Sequence, residues 1–248
     1  MHSFVSQVVC GAVLLGGAAF AAVAATVGPV TSTAPVISRV DIDARVSYET
    51  RQVMSSGVTR TDRWQEHLVR RGNQVWTERI RPAATHAGQA HETVPEHAGH
   101  RHLNAETSAR WLTLKPDGQV EMKFVDRENK VVVSVPRAEF GTVGFDGRFD
   151  AAASIVPPAV AHTMAHPMAR QAGRSTESRW LTDRGQGWSH QVLWSASKQL
   201  AMRVESRRDD GSVQRIVSVQ LLPAAPGKPV PWSQLTDYTP KQYDDFMD

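Results

Sequence analysis

Half of the histidines in this chain lie in one short segment. His86, His91, His97, His100 and His102 fall within 17 residues, whereas the whole sequence of 248 residues has ten histidines. Imidazole is the commonest protein ligand for zinc and copper. In an extended chain two histidines separated by one residue project to the same side, and the Ala-Gly before them allows the chain to fold back. The spacing predicts a zinc or copper site at this segment; the alternative is a polar loop that binds metal adventitiously.

A second segment alternates ligand types that copper accepts: His162, Met164, His166 and Met168. Thioether sulfur suits Cu(I), and imidazole suits both oxidation states of copper. The same pattern is typical of core-facing methionines beside solvent-facing histidines, and this is the interpretation that we favour.

Catalytic motifs are incomplete in this sequence. His91-Glu92 lacks the second histidine of a metalloprotease helix, and neither a Gly-x-Ser-x-Gly elbow nor a phosphate-binding glycine loop occurs. Ser195 and Lys198 match a Ser-x-x-Lys pattern, but they fall in a predicted hairpin turn rather than at the start of a helix. The sequence therefore favours a non-enzymatic binding protein over an enzyme.

Charge composition argues against a nucleic-acid partner. Twenty-eight basic and 25 acidic residues leave a formal net charge of +3, and no basic block occurs. Hydrophobic residues make up 41% and charged residues 21%, which is typical of a globular chain.

Apolar residues alternate with polar ones along most of the chain, as in strands with one wet face. Short polar turns separate these runs, at residues 55–57, 71–73, 115–118, 127–129, 185–187 and 209–211. Adjacent strands joined by short turns must be antiparallel. We expect a mainly β protein, an antiparallel curved sheet or half-barrel of about eight or nine strands with a few short helices. The expected helices cover residues 148–154, 159–168 and 239–247, the last because Thr239, Pro240 and Gln242 resemble a capping box.

Tryptophans are concentrated on the predicted strands. Four of them are candidates to line a cavity for an apolar ligand: Trp64, Trp180, Trp188 and Trp194. The alternative is that these tryptophans are ordinary core residues and line no ligand cavity. Phe140, Phe145 and Phe149 alternate with three glycines, which predicts a tight backbone path beneath packed aromatic rings.

The N-terminal segment has the features of an export signal. Residues 8–24 are almost wholly apolar or glycine, and residues 22–24 form a small-x-small cleavage site. We predict a signal peptide over residues 1–24, a linker over 25–38, and one β-rich domain over 39–248 with a histidine-rich loop at about 81–104. The mature chain would be periplasmic or secreted, without a transmembrane span, and without cysteine because the only one is Cys10.

About a fifth of the chain, at its C-terminal end, resembles a known family. The hairpin over residues 200–222 and the tail over residues 231–248 are similar in architecture to the periplasmic lipoprotein-sorting (LolA-like) family. The resemblance implies an open β half-barrel whose concave face holds acyl chains or a hydrophobic partner such as a lipoprotein. No functional residue of that family is matched position by position.

Overall fold

The computed structural model describes residues 40–81, 107–165, 177–223 and 229–246. The predicted signal peptide and linker lie outside these residues, as do all five histidines of the histidine-rich segment. The described residues form one sheet of eleven strands: β1 (Ile42–Val53), β2 (Thr59–Arg71), β3 (Gln74–Arg79), β4 (Ala109–Leu114), β5 (Val120–Asp126), β6 (Val131–Val135), β7 (Ser178–Gly185), β8 (Trp188–Ser195), β9 (Leu200–Arg208), β10 (Val213–Leu221) and β11 (Thr239–Gln242).

The sheet is open and almost entirely antiparallel. Its strand order is β11-β6-β5-β4-β3-β2-β1-β10-β9-β8-β7, and only the β11–β6 pair is parallel. The two edge strands, β7 and β11, do not pair with each other, so the sheet is not a closed barrel. The predicted fold class is therefore confirmed, with eleven strands in place of the expected eight or nine.

One face of the sheet, which we call the inner face, carries the main core. Strand alternation places Ala44, Val46, Leu68, Leu112 and Met122 on this face, and all five side chains are buried. Two short helices, α1 (Phe149–Ser154) and α2 (Pro158–Thr163), lie in the same cluster. The core part of the inner face is therefore buried beneath residues 136–165, the described part of the connection between β6 and β7.

The opposite, outer face is buried only in one half of the sheet. Val69, Trp76, Ala109 and Val125 form a second apolar cluster there. The C-terminal segment packs onto it, and Trp232 stacks on Trp111 with ring centroids 6.3 Å apart. This half of the sheet is covered on both faces.

The C-terminal helix predicted over residues 239–247 is wrong in its first half. Thr239–Gln242 is a strand parallel to β6, and the Thr239 backbone N–H donates to the Lys130 carbonyl at 2.8 Å. Pro240 is tolerated because an edge strand has one side without ladder hydrogen bonds. Only a 3₁₀ turn over Tyr243–Phe246 remains helical.

The other two helix predictions are confirmed with shorter bounds. The first corresponds to α1, and the second ends at Thr163 rather than Met168. After it, Met164 is extended and buried in the core, and Ala165 forms an isolated antiparallel bridge with Thr182 of β7. This pairing stops the helix. The structure describes two residues of the predicted histidine–methionine group: Met164 is buried in the core, and His162 is exposed on the surface.

Candidate functional site

A cleft of about 110 Å³ lies between the inner face and the segment that covers it. The sheet supplies one wall, from strands β1 to β4, and residues 144–157 supply the other. Most of its lining is apolar: Val46, Tyr48, Leu68, Leu112, Gly144, Phe145, Ala151, Ala152, Ile155 and Pro157. Small residues of α1 and the loop before it leave space where larger side chains would fill the core.

The covering wall is fixed by the phenylalanine and glycine pattern that the sequence singled out. Phe140, Phe145 and Phe149 are all buried, and the first two rings lie 5.0 Å apart. Gly144 and Gly147 have φ values of 71° and 78°, a conformation that glycine adopts without steric cost. The tight backbone path predicted for residues 140–149 therefore brings this segment against the sheet.

The far end of the covering wall contains a strained residue. Ile155, which follows α1 and lines the cleft, has a φ of 67° and a ψ of −48°. A β-branched residue adopts positive φ only when its surroundings impose that conformation. The end of α1 is thus held against the sheet by its packing rather than by local preference.

Buried Arg70 ties the same wall to the rest of the molecule. This side chain is fully buried on the inner face, and its guanidinium donates to the carbonyls of Ala153 at the end of α1 and of Val40 before β1. It also donates to the Lys198 and Gln199 carbonyls in the turn between β8 and β9. One side chain therefore joins three separate parts of the fold beside the cleft.

Four charged residues also line the cleft: Glu66 and Arg110 on the sheet, and Asp146 and Arg148 on the covering segment. Glu66 extends from β2 and Arg110 from β4, both on the inner face. The Nε atom of Arg110 is buried and makes no hydrogen bond to any described residue. Such a donor inside a mainly apolar cleft is a potential contact for a ligand oxygen.

The structure places the four candidate tryptophans in different environments. Strand register puts Trp64, Trp188 and Trp194 on the inner face and Trp180 on the outer face. Trp194 is fully buried in the core, whereas the Trp64 ring stacks on the cleft residue Tyr48 at a centroid distance of 4.9 Å. Of the four, Trp64 is therefore the one in direct contact with the cleft wall.

The remaining inner-face tryptophan belongs to a separate aromatic group. Trp188 stacks on His190, with centroids 6.1 Å apart, and the Arg215 guanidinium lies 5.4 Å from the Trp188 ring. His190 Nδ1 is 2.9 Å from the Ser206 hydroxyl oxygen. Burial lowers the pKa of the His190 imidazole, and the nearby Asp183 carboxylate opposes this shift. This histidine is thus favoured in its neutral form.

The outer face carries a second cleft, of about 290 Å³, with a histidine–carboxylate pair. His67 Nε2 lies 2.6 Å from Asp43 Oδ1, and Arg71 and Arg127 line the same cleft. Its lining residues include no serine, threonine, cysteine or lysine. The described lining therefore offers no hydroxyl, thiol or amine nucleophile that His67 could activate.

A metal centre is not formed by the part of the chain that the structure describes. Across residues 40–81, 107–165, 177–223 and 229–246, no group of three or more His, Cys, Asp or Glu side chains is placed to hold an ion. His86, His91, His97, His100 and His102 all lie outside these ranges. The predicted site at these histidines remains a prediction.

No known family model matches this sequence, and no curated protein matches it. Among solved structures, PNGF-II is 8% identical with a TM-score of 0.34, and the match covers 84% of this chain but only 32% of that protein. A putative outer membrane lipoprotein-sorting protein domain from Vibrio parahaemolyticus is 8% identical, with a TM-score of 0.28 and coverage of 78% and 91%. A LolA superfamily protein from Nitrosomonas europaea is also 8% identical, with a TM-score of 0.28 and coverage of 75% and 88%.

These comparisons confirm the predicted resemblance to LolA-like proteins as a weak structural one. Within the described ranges, no helix combines the length and apolar character that crossing a bilayer requires.

Proposed function

We propose that this protein is an exported, non-enzymatic binding protein that holds an apolar group in the cleft between the inner face and residues 144–157. The observation that carries the proposal is the lining itself, in which apolar side chains from β1, β2 and β4 face small residues of the cover. Clefts of this composition, with a few polar groups, are the usual form of a small-molecule site. An acyl chain of a lipid or lipoprotein is a ligand of this class.

The size of the cleft limits what it can hold. Its volume of about 110 Å³ is well below the ~300–1,000 Å³ of a typical drug-sized site. It therefore accepts one alkyl chain or one ring, and the rest of a larger ligand lies outside. We propose that Trp64, stacked on Tyr48, extends the apolar surface beyond the cleft.

Chain length provides a direct test of this proposal. Each methylene removed from water contributes about 0.8 kcal/mol, so binding of linear alcohols to the mature protein should tighten about fourfold per added methylene. The gain should stop once the cleft is full. Titration calorimetry with the alcohols from butanol to decanol measures this series.

A filled cleft should abolish the dependence on chain length. Ala152 lies on α1 and lines the cleft, so Ala152→Phe places a ring in the space proposed for the chain. Thr113→Phe, on the outer face of β4, is the matched control and should bind like the wild type. Alcohols that bind both variants equally well would place the ligand elsewhere.

The histidine-rich segment supports a second candidate function, which is metal binding. Its five histidines within 17 residues are the observation that favours it. Replacing His97, His100 and His102 together with alanine should abolish stoichiometric binding of Zn²⁺ or Cu²⁺. Binding by the wild type should weaken below about pH 6, because protons compete for imidazole near its ordinary pKa of ~6.5. A chain that binds these ions no more tightly than a peptide of residues 86–102 would contradict a specific site.

A further inference from the structure

We propose that Arg110 binds an anionic head group, so that the ligand of the cleft is a single-chain amphiphile with one negative charge, of which a carboxylate is the simplest. This inference rests on the proposed function, since it assigns the chemistry of the other end of the ligand. It starts from the Arg110 Nε atom, which is buried without a hydrogen-bond partner in the described part of the chain.

A buried donor without a partner is costly in a folded protein. Such a group has lost its hydrogen bonds to water without replacing them, and the cost is larger when the group is charged. Arg110 is a cation that protrudes from the second position of β4 toward the covered side of the sheet, opposite Thr77 of β3 and Phe124 of β5. Neither neighbour supplies a negative charge, so a ligand oxygen would relieve this cost.

Other arginines near the cleft already have partners. Arg148, the other arginine of the cleft lining, pairs with Asp150 at 3.7 Å. Arg70 donates to four backbone carbonyls, and the Arg79 guanidinium lies 5.7 Å from the Trp64 ring. On the exposed outer face, Arg63 pairs with Glu49 at 3.0 Å. Among the buried polar atoms without a partner in the described residues, the Arg110 Nε is the one that belongs to the cleft lining. This distinguishes Arg110 from an ordinary structural arginine.

Two carboxylates restrict the charge of the ligand. Glu66 and Asp146 line the same cleft, and among the described residues neither forms an ion pair with Arg110. Each of them repels a dianion about twice as strongly as a monoanion at the same distance. A carboxylate should therefore be preferred to a phosphate dianion.

The test compares ligands that share one chain and differ in the head group. Octanoate and 1-octanol are titrated into the full mature protein at pH 7.5, with octyl phosphate as the dianionic arm. A charge-assisted hydrogen bond stabilises by about 1.5–3 kcal/mol, so octanoate should bind at least about tenfold more tightly than octanol. Octyl phosphate should bind more weakly than octanoate.

Variants assign this preference to one side chain. Arg110→Gln should reduce the affinity for octanoate to that for octanol, while the affinity for octanol changes less than about twofold. Arg110→Lys keeps the charge and should retain part of the preference. Arg45→Gln, which removes an exposed arginine on the outer face of β1, is the control and should behave like the wild type. Retained binding of octanol shows that each variant is folded.

The binding results distinguish a failure of the head-group inference from a failure of the proposed apolar site. If octanoate and octanol bind the wild type equally, and Ala152→Phe abolishes both, the head-group inference is overturned and the apolar site stands. If Arg110→Gln keeps the full preference for octanoate, Arg110 is not the contact. If neither ligand binds the wild type, both the head-group inference and the proposed function are wrong.

Discussion

At the scale of single residues, His190 links burial to acid sensitivity. Burial lowers the pKa of its imidazole in the folded protein, so below about pH 6.5 the unfolded chain binds more protons than the folded one. Stability then falls as the pH decreases through this value. The neutral form is compatible with its contact to Ser206, whichever tautomer is present.

Replacing this histidine should therefore flatten the pH dependence of stability. We expect His190→Gln to lose less free energy of unfolding between pH 7.5 and pH 5.5 than the wild type, because glutamine does not titrate. Urea unfolding at the two pH values measures the difference. His162→Gln, at an exposed position of α2, should keep the wild-type slope. Equal slopes for the wild type and His190→Gln would contradict this account.

Strand parity predicts which side of the sheet a residue occupies, but not which charged residues are buried there. The sequence places Trp64 and Leu68 on one side of β2, and the structure confirms this. Arg70 shares their parity and is fully buried, yet an arginine at the end of an apolar alternation usually marks solvent. Its partners are carbonyls from residues 40, 153, 198 and 199, which only the folded chain brings together. In the sequence, the one signal that Arg70 is buried is that it lies on the same side of β2 as Leu68.

At the scale of elements, hairpins were predictable because their turns are encoded locally. Gly57, Gly118 and Gly211 each have a φ between 73° and 81°, and each ends a polar turn between alternating runs. Turn geometry and alternation then determine the antiparallel pairing of β1 with β2, β4 with β5, and β9 with β10. These signals act over a few residues, and sequence reasoning can detect them.

Elements that depend on distant partners were not predictable in the same way. β11 is four exposed residues with a capping-box pattern, and it becomes a strand only because β6 offers an edge about a hundred residues earlier in the chain. The cleft likewise depends on segments that are distant in the sequence. Its walls come from β1 to β4 and from residues 144–157, and no local pattern records that these two segments face each other.

At the scale of the whole molecule, packing on two faces has to supply the stability. The core part of the inner face is covered by residues 136–165, and the outer face of β2 to β6 is covered by the C-terminal segment. If the predicted export signal is removed, the mature chain has no cysteine and hence no disulfide. Its unfolding should then be independent of the redox conditions.

Cleavage of the predicted signal peptide can be tested directly. Protein recovered from the cell envelope or medium should begin near Ala25, because residues 22–24 form the cleavage site that follows the apolar run. It should contain no titratable thiol, because Cys10 leaves with the signal peptide, and its midpoint of thermal unfolding should be the same with and without a reducing agent. Intact-mass and thiol measurements on the native protein provide the test. A mass that includes Met1, together with one free thiol, would instead indicate that the apolar segment is retained as an N-terminal anchor.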